Sequence, residues 1–309
     1  MLRRMLLSAS NSEELGRLVS ASPLTRPLVD RFVSGETAQD AARAARALAA
    51  RGLHVSLDRL GEDTADAAEA AHTRDAYLEV LDLIGRADLA PRAEVSLKLS
   101  SLGQFLPRDG ERIALDHARA VCAGAAERGT TVTLDMEDHT TTDSTLGILR
   151  ELRRDFPETG VALQACLYRT EADCRDLAGP GSRVRLCKGA YREPESVAPS
   201  SRAEVDRAYV RCLKILMAGE GYPMVATHDP RLIEIAGALA VRHGRPQGAY
   251  EFQMLYGIRP EEQQRLAAAG ETTRVYVPFG DDWYAYFMRR LAERPANLAF
   301  FLRSLVTKD

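Results

Sequence analysis

Short runs in which apolar and polar residues alternate recur along this chain, separated by stretches with helical spacing. The strand-like runs fall at 53–57 (LHVSL), 94–99 (EVSLKL), 131–136 (TVTLDM), 161–167 (VALQACL), 183–187 (RVRLC), 222–227 (YPMVAT), 250–255 (YEFQML) and 274–277 (RVYV). Helical stretches include 111–128, 202–218 and 260–269, closed by Gly129, Gly219 and Gly270. The first ~45 residues also read as helices. Within them Glu36 to Arg51 is Ala-rich, with Gly52 in the position of a C-terminal cap. Eight repeats of strand then helix, with no strand-only region, predict an α/β fold of the (β/α)8 TIM-like barrel type with extra N-terminal helices. The expected organisation is a helical segment over 1–51 and a barrel over 52–309, in a single domain overall. An open doubly wound sheet is the runner-up. Its phosphate loop joins a strand to a helix, whereas Gly179-Pro180-Gly181 precedes a strand.

Strand side chains alternate between faces, so parity sorts each run into a helix-facing and a barrel-facing set. Val95, Leu97 and Leu99 leave Ser96, Lys98 and Ser100 on the other face. Val132 and Leu134 oppose Thr133, Asp135 and Glu137. Gln164 opposes Val161, Leu163 and Ala165, while Arg183, Arg185 and Cys187 oppose Val184 and Leu186. Glu251 and Gln253 oppose Phe252 and Met254, and Tyr276 opposes Val275 and Val277. Barrel interiors are normally filled by Val, Ile and Leu. Burying Lys98, Asp135, Gln164, Arg185, Glu251 and Tyr276 together is costly unless they pair with one another or with a ligand. The two outcomes are a mutually satisfied polar filling and a polar ligand site at the C-terminal mouth. The late position of the polar residues in their runs favours the site.

After the eighth run, Asp281 or Asp282 can cap a helix reaching about Arg294, before Pro295. Tyr286, Arg289, Arg290 and Glu293 share one side of it at three- and four-residue spacings. On an arbitrary helix this is an exposed Arg–Glu ladder. Beside an inward Tyr276 it becomes a carboxylate clamp, because guanidinium forks match planar anions.

Composition narrows the classes. The 309 residues carry 41 Lys+Arg against 44 Asp+Glu, a net charge of −3, with 45% hydrophobic and 28% charged residues. These are globular values, without the basic surplus of a nucleic-acid binder. No stretch approaches the roughly 20 apolar residues of a membrane span. The N-terminal MLRRMLL holds too short an apolar patch for a signal peptide. Five cysteines without a CxxC pair read as buried or incidental thiols in a reducing, cytoplasmic setting.

Seven stretches, SLKLSSLG (96–103), LDMED (134–138), LQACL (163–167), RLCKGAYREP (185–194), ATHD (226–229), YEFQMLYGI (250–258) and YVPFGDDWYAYFMRRLAERPAN (276–297), resemble the proline dehydrogenase family in order and spacing, over about residues 52–300. The resemblance implies a distorted (β/α)8 barrel, noncovalent FAD, and oxidation of L-proline to Δ1-pyrroline-5-carboxylate, the first step of proline catabolism. It implies electron transfer to a quinone or another acceptor, and the monofunctional bacterial form. That places the chain in the cytoplasm, with peripheral contact at the inner face of the membrane left open.

By the same resemblance, Asp135 and Arg185 carry catalytic roles. Lys98, Leu255, Tyr276, Tyr286, Arg289, Arg290 and Glu293 match the substrate pocket. Met136, Gln164, Arg185, Lys188, Gly189, Ala190, Thr227 and His228 match flavin contacts. Arg289 and Arg290, with Lys98, are expected to grip the carboxylate, and Asp135 to orient Lys98 or Arg290. Lys188 and His228 are expected to offset the pyrophosphate charge. Arg192, Asp229 and Cys166 stand where the family pattern favours an aromatic residue, Asn and Tyr. The rivals are a trans-4-hydroxy-L-proline dehydrogenase, a Schiff-base barrel using Lys98 or Lys188, a metal hydrolase built on Asp135, Glu137, His139 and His228, and a non-catalytic binding barrel.

Overall fold

The structure, a computed structural model, describes residues 29–293. Eight parallel strands close on themselves, β1 (His54–Arg59), β2 (Ala93–Leu97), β3 (Val132–Leu134), β4 (Gly160–Gln164), β5 (Arg183–Cys187), β6 (Tyr222–Ala226), β7 (Glu251–Leu255) and β8 (Thr273–Phe279). Each pairs with the next in sequence, and β8 returns to β1 with Ser56 opposite Tyr276. The expected barrel is present, with strand ends shifted by a few residues. β3 stops at Leu134, so Asp135 and Met136 lie just past it, while β8 extends on to Phe279.

Helices follow the strands in sequence: α1 (Ala38–Ala49) precedes β1, then come α2 (Ala67–Arg86), α3 (Gly110–Glu127), α4 (Thr142–Leu152), α5 (Thr170–Asp176), α6 (Arg202–Ala218), α7 (Pro230–Arg242), α8 (Pro260–Ala268) and α9 (Tyr284–Glu293). Local chemistry sets their starts. Thr37 and Asp40 form a reciprocal capping box on α1, and the Asp66 side chain accepts from the backbone N–H groups of Ala68 and Glu69 on α2. Asp229 caps α7 ahead of Pro230, whose missing N–H costs nothing in the first turn. What precedes residue 29 in the expected N-terminal helices lies outside the described residues.

The outward apolar residues of the strands, such as Leu57, Val95, Leu97, Leu134, Leu186 and Val275, are fully buried against the helices. A second apolar cluster lies where the segment 29–33 meets α9: Phe32 and Phe287 are fully buried, with ring centroids 6.4 Å apart, and Trp283 meets Phe287 edge-on at 5.9 Å. The segment is fastened to the barrel by Ser34, whose N–H and hydroxyl both donate to the Pro278 carbonyl. Gly257 (φ +71°) lets it come this close, since a Cβ there would stand 1.7 Å from the Arg31 carbonyl oxygen. That packing carries α9 onto the strand C-terminal end.

Candidate active site

Polar side chains run through the barrel interior from its floor to the C-terminal ends of the strands, with Met224 buried among them. At the floor Glu94 Oε2 accepts from Arg183 Nη2 at 2.7 Å, and Arg274 Nε meets Glu251 at 2.7 Å and Glu94 at 3.8 Å. Ser56 and Thr133 donate to Glu94 Oε1, both at 3.1 Å. Burial pushes the Glu94 pKa up, but the guanidinium groups of Arg274, Arg183 and Arg185 outweigh it and hold the carboxyl well below the usual range. The mutually satisfied filling that the sequence allowed therefore exists, in the lower half.

Arg185, 2% exposed, stands above this floor. Its Nε donates to Gln253 Oε1 at 2.6 Å, Nη1 to Ser96 Oγ at 2.8 Å and to Asp135 Oδ1 at 2.5 Å, and Nη2 to Ser56 Oγ at 3.1 Å and to Glu94 Oε1 at 3.4 Å. These engage all five N–H groups of the guanidinium. The cation can still act on a ligand above it through its fixed, oriented charge. Its centre lies 5.2 Å from the Tyr276 ring centroid, and the Tyr276 hydroxyl donates to Asp135 Oδ2 at 2.7 Å. Burial, reinforced by Asp135, raises the phenol pKa well above its ordinary value, so Tyr276 stays protonated.

Lys98 is close by, with Nζ 2.7 Å from both oxygens of Asp58. This corrects the expected role of Asp135, which holds Arg185, Tyr276 and Ser96, while Asp58 orients Lys98. Burial alone lowers an ammonium pKa, but Asp58 and Asp135 reverse that and keep Lys98 charged above its ordinary value. Asp58 is the next inward residue after Ser56, in a strand that runs two residues past the expected end at Leu57.

On α9 the Arg290 guanidinium stacks over the Tyr286 ring at 5.1 Å, and both residues are buried. Arg289 Nη2 pairs with Glu62 Oε1 at 2.8 Å, a loop partner that strand parity could not reveal. The exposed-ladder alternative is thus set aside for Arg290. The Glu293 side chain and the stretch 294–309 lie outside the described residues.

Around the rim, Gln164 Nε2 donates to the Glu137 carbonyl at 2.6 Å, and its Oε1 accepts from the Ala190 N–H at 3.4 Å. Gly189 has φ +115°, and a Cβ on it would stand 2.3 Å from Cys166 Sγ, so only glycine lets this loop lie against the end of β4. Lys188 meets Asp206 at 2.6 Å and Asp229 at 3.2 Å, so its charge is already compensated. Thr227 and Met136 are buried, while Leu255 is half-buried beside the α9 cluster. His228 Nε2 accepts from the Leu255 N–H at 2.9 Å.

Among the described residues no three His, Cys, Asp or Glu side chains are grouped to hold a metal, and the four candidates have other partners. Glu137 is taken by Ser100 (Oγ at 2.5 Å, N at 3.1 Å), His139 by Glu193, His228 by Leu255 and Asp135 by Arg185. Burial raises the Glu137 pKa to about 7.

The model of the family described as proline dehydrogenase matches residues 41–303. Proline dehydrogenase 1 of Bacillus subtilis is 39% identical over 308 residues, covering 100% of both chains. The proline dehydrogenase of Deinococcus radiodurans is 41% identical over 281 residues, 90% of each chain. Among solved structures, the proline utilization A (PutA) protein of Bdellovibrio bacteriovorus inactivated by N-propargylglycine superposes with a TM-score of 0.81 at 25% identity. That match covers 91% of this chain and 34% of the other. With the motif series, the closed barrel and full-length relatives in agreement, this chain belongs to the proline dehydrogenase family.

Proposed function

We propose that this chain oxidises L-proline to Δ1-pyrroline-5-carboxylate, opening proline catabolism, with noncovalent FAD and a quinone or similar electron acceptor. The observation that carries this reading is Arg185, an always-charged group buried among Lys98, Asp135 and Tyr276 toward the C-terminal ends of the strands, with every N–H engaged. Such a fixed cation suits a ligand that gains electrons. Lys98 argues against the Schiff-base alternative, because an amine nucleophile needs a lowered pKa and Asp58 raises this one.

The residues present fit a flavin. Lys188, Gly189, Ala190 and Gln164 build one side of the rim, where the Cβ-free Gly189 leaves the backbone low. Met136, Thr227 and His228 lie at the ends of β3 and β6. When bound, the flavin supplies the acceptor for the hydride from the proline ring. The protein's part is positioning and electrostatics. Arg290 and Arg289, with Lys98, hold the substrate carboxylate, Tyr286 braces Arg290, and Glu293 belongs to the same helix. Leu255 lies against the substrate ring, and Tyr276 forms its other wall. Asp135 keeps Arg185 and Tyr276 in place and moves no proton. A quinone acceptor calls for peripheral contact with a membrane, and no described helix is long and apolar enough to cross one.

The test is to purify the protein with FAD present and add L-proline without oxygen. The yellow flavin absorbance should bleach, and o-aminobenzaldehyde should trap the product imine. Failure to retain flavin, or bleaching by trans-4-hydroxy-L-proline in preference to proline, overturns the reading.

A further inference from the structure

Glu94 takes no part in the reaction as proposed, yet it joins as many groups of the barrel interior as Arg185 does. Its two oxygens accept from Ser56, Thr133, Thr131, Arg183 and Arg185, and Arg274 lies 3.8 Å away. It is 1% exposed, and it lies two residues before Ser96, which donates to Asp135 and accepts from Arg185. Inside the barrel, among the described residues, the cations Lys98, Arg183, Arg185 and Arg274 face the carboxylates Asp58, Glu94, Asp135 and Glu251. These eight groups match four against four, and Glu137, held by Ser100, lies beyond the end of β3. In a buried, low-dielectric interior a change of one charge is felt across several ångströms, because little water screens it.

We propose that Glu94 is a positioning residue that holds Arg185 from below and sets how much of its positive charge reaches the cofactor. The inference rests on the flavin reading of the site. Arg183 acts on the same balance from the opposite sign, since it neutralises Glu94 from the side away from the mouth. A flavin gains electrons when proline is oxidised, so a more positive interior favours its reduced form and a more negative one opposes it.

Glu94→Gln keeps the shape and removes one negative charge. The midpoint potential of the bound flavin, read by spectroelectrochemistry, should rise by about a tenfold change in the reduction equilibrium, ~30 mV for two electrons. Glu94→Asp should restore the wild-type value. Arg183→Gln, at the floor and outside the proposed site, should move the potential the other way, and it serves if Glu94→Gln does not fold. Unchanged potentials, or shifts of one sign in both variants, overturn the proposal even where melting temperatures fall, because a merely structural role lowers stability without moving the potential. A wild-type protein that binds no flavin defeats the functional reading instead, so the two failures are distinct.

Discussion

Tyr276 and Asp135, 141 residues apart, are joined by a 2.7 Å hydrogen bond from the phenol to Oδ2. The other Asp135 oxygen is held by Arg185 and Ser96, and Arg185 also stacks on the Tyr276 ring. The Tyr276 ring is therefore held both at its hydroxyl and at its face.

An aromatic wall held in this way selects against an added polar group that finds no partner, at a cost of about 1–3 kcal/mol. The wild-type protein should favour L-proline over trans-4-hydroxy-L-proline. Tyr276→Ser should raise the relative kcat/KM for hydroxyproline by about tenfold, the equivalent of ~1.4 kcal/mol. Measuring both substrates in both proteins decides it, and an unmoved ratio removes Tyr276 as the selector.

Arg290 and Arg289 differ in setting: Arg290 is 8% exposed and stacked on Tyr286, whereas the Arg289 side chain is 25% exposed and paired with Glu62. Removing a desolvated charge from a carboxylate contact costs about 2–5 kcal/mol, while solvent screens part of the other. Both Arg→Met variants should raise KM for proline with flavin still bound, Arg290→Met the more strongly. Steady-state kinetics beside a flavin-to-protein absorbance ratio test the order.

Glu137 is 6% exposed, and burial raises its pKa to about 7. A folded-state pKa above the unfolded value means that the proton stabilises the fold. That contribution is full below about 4.5 and lost as pH rises through about 7. Glu137→Gln should flatten the fall in melting stability across this window, by about 3 kcal/mol at most. Urea melts of both proteins at the two ends of the window provide the measurement, and parallel pH curves would sink the assignment.

Gly189→Ala adds a Cβ where Cys166 Sγ lies 2.3 Å away and where φ is +115°. The β5 loop must move off β4, so the variant should retain less flavin than the wild type. The flavin released from the wild type by acid should be intact FAD, identified by chromatography. Equal retention in the variant, or FMN in the wild-type extract, contradicts the rim as drawn.

The sequence by itself determined the barrel and most of its inward polar set. Apolar residues at every second position must face the helices, which forces Lys98, Arg185, Gln253 and Tyr276 inside. Eight strand–helix repeats leave few ways to pack but closure. The motif series carried the family with it. Which inward residues meet was decided by the tertiary structure alone, because strand pairing offset and barrel curvature bring together groups far apart in the chain. Asp58 took Lys98, leaving Asp135 to Arg185 and Tyr276, and Glu62 reached Arg289 across 227 residues from a loop with no periodicity to read. Parity gives the face of a residue, whereas the partner of a buried charge depends on three-dimensional distance.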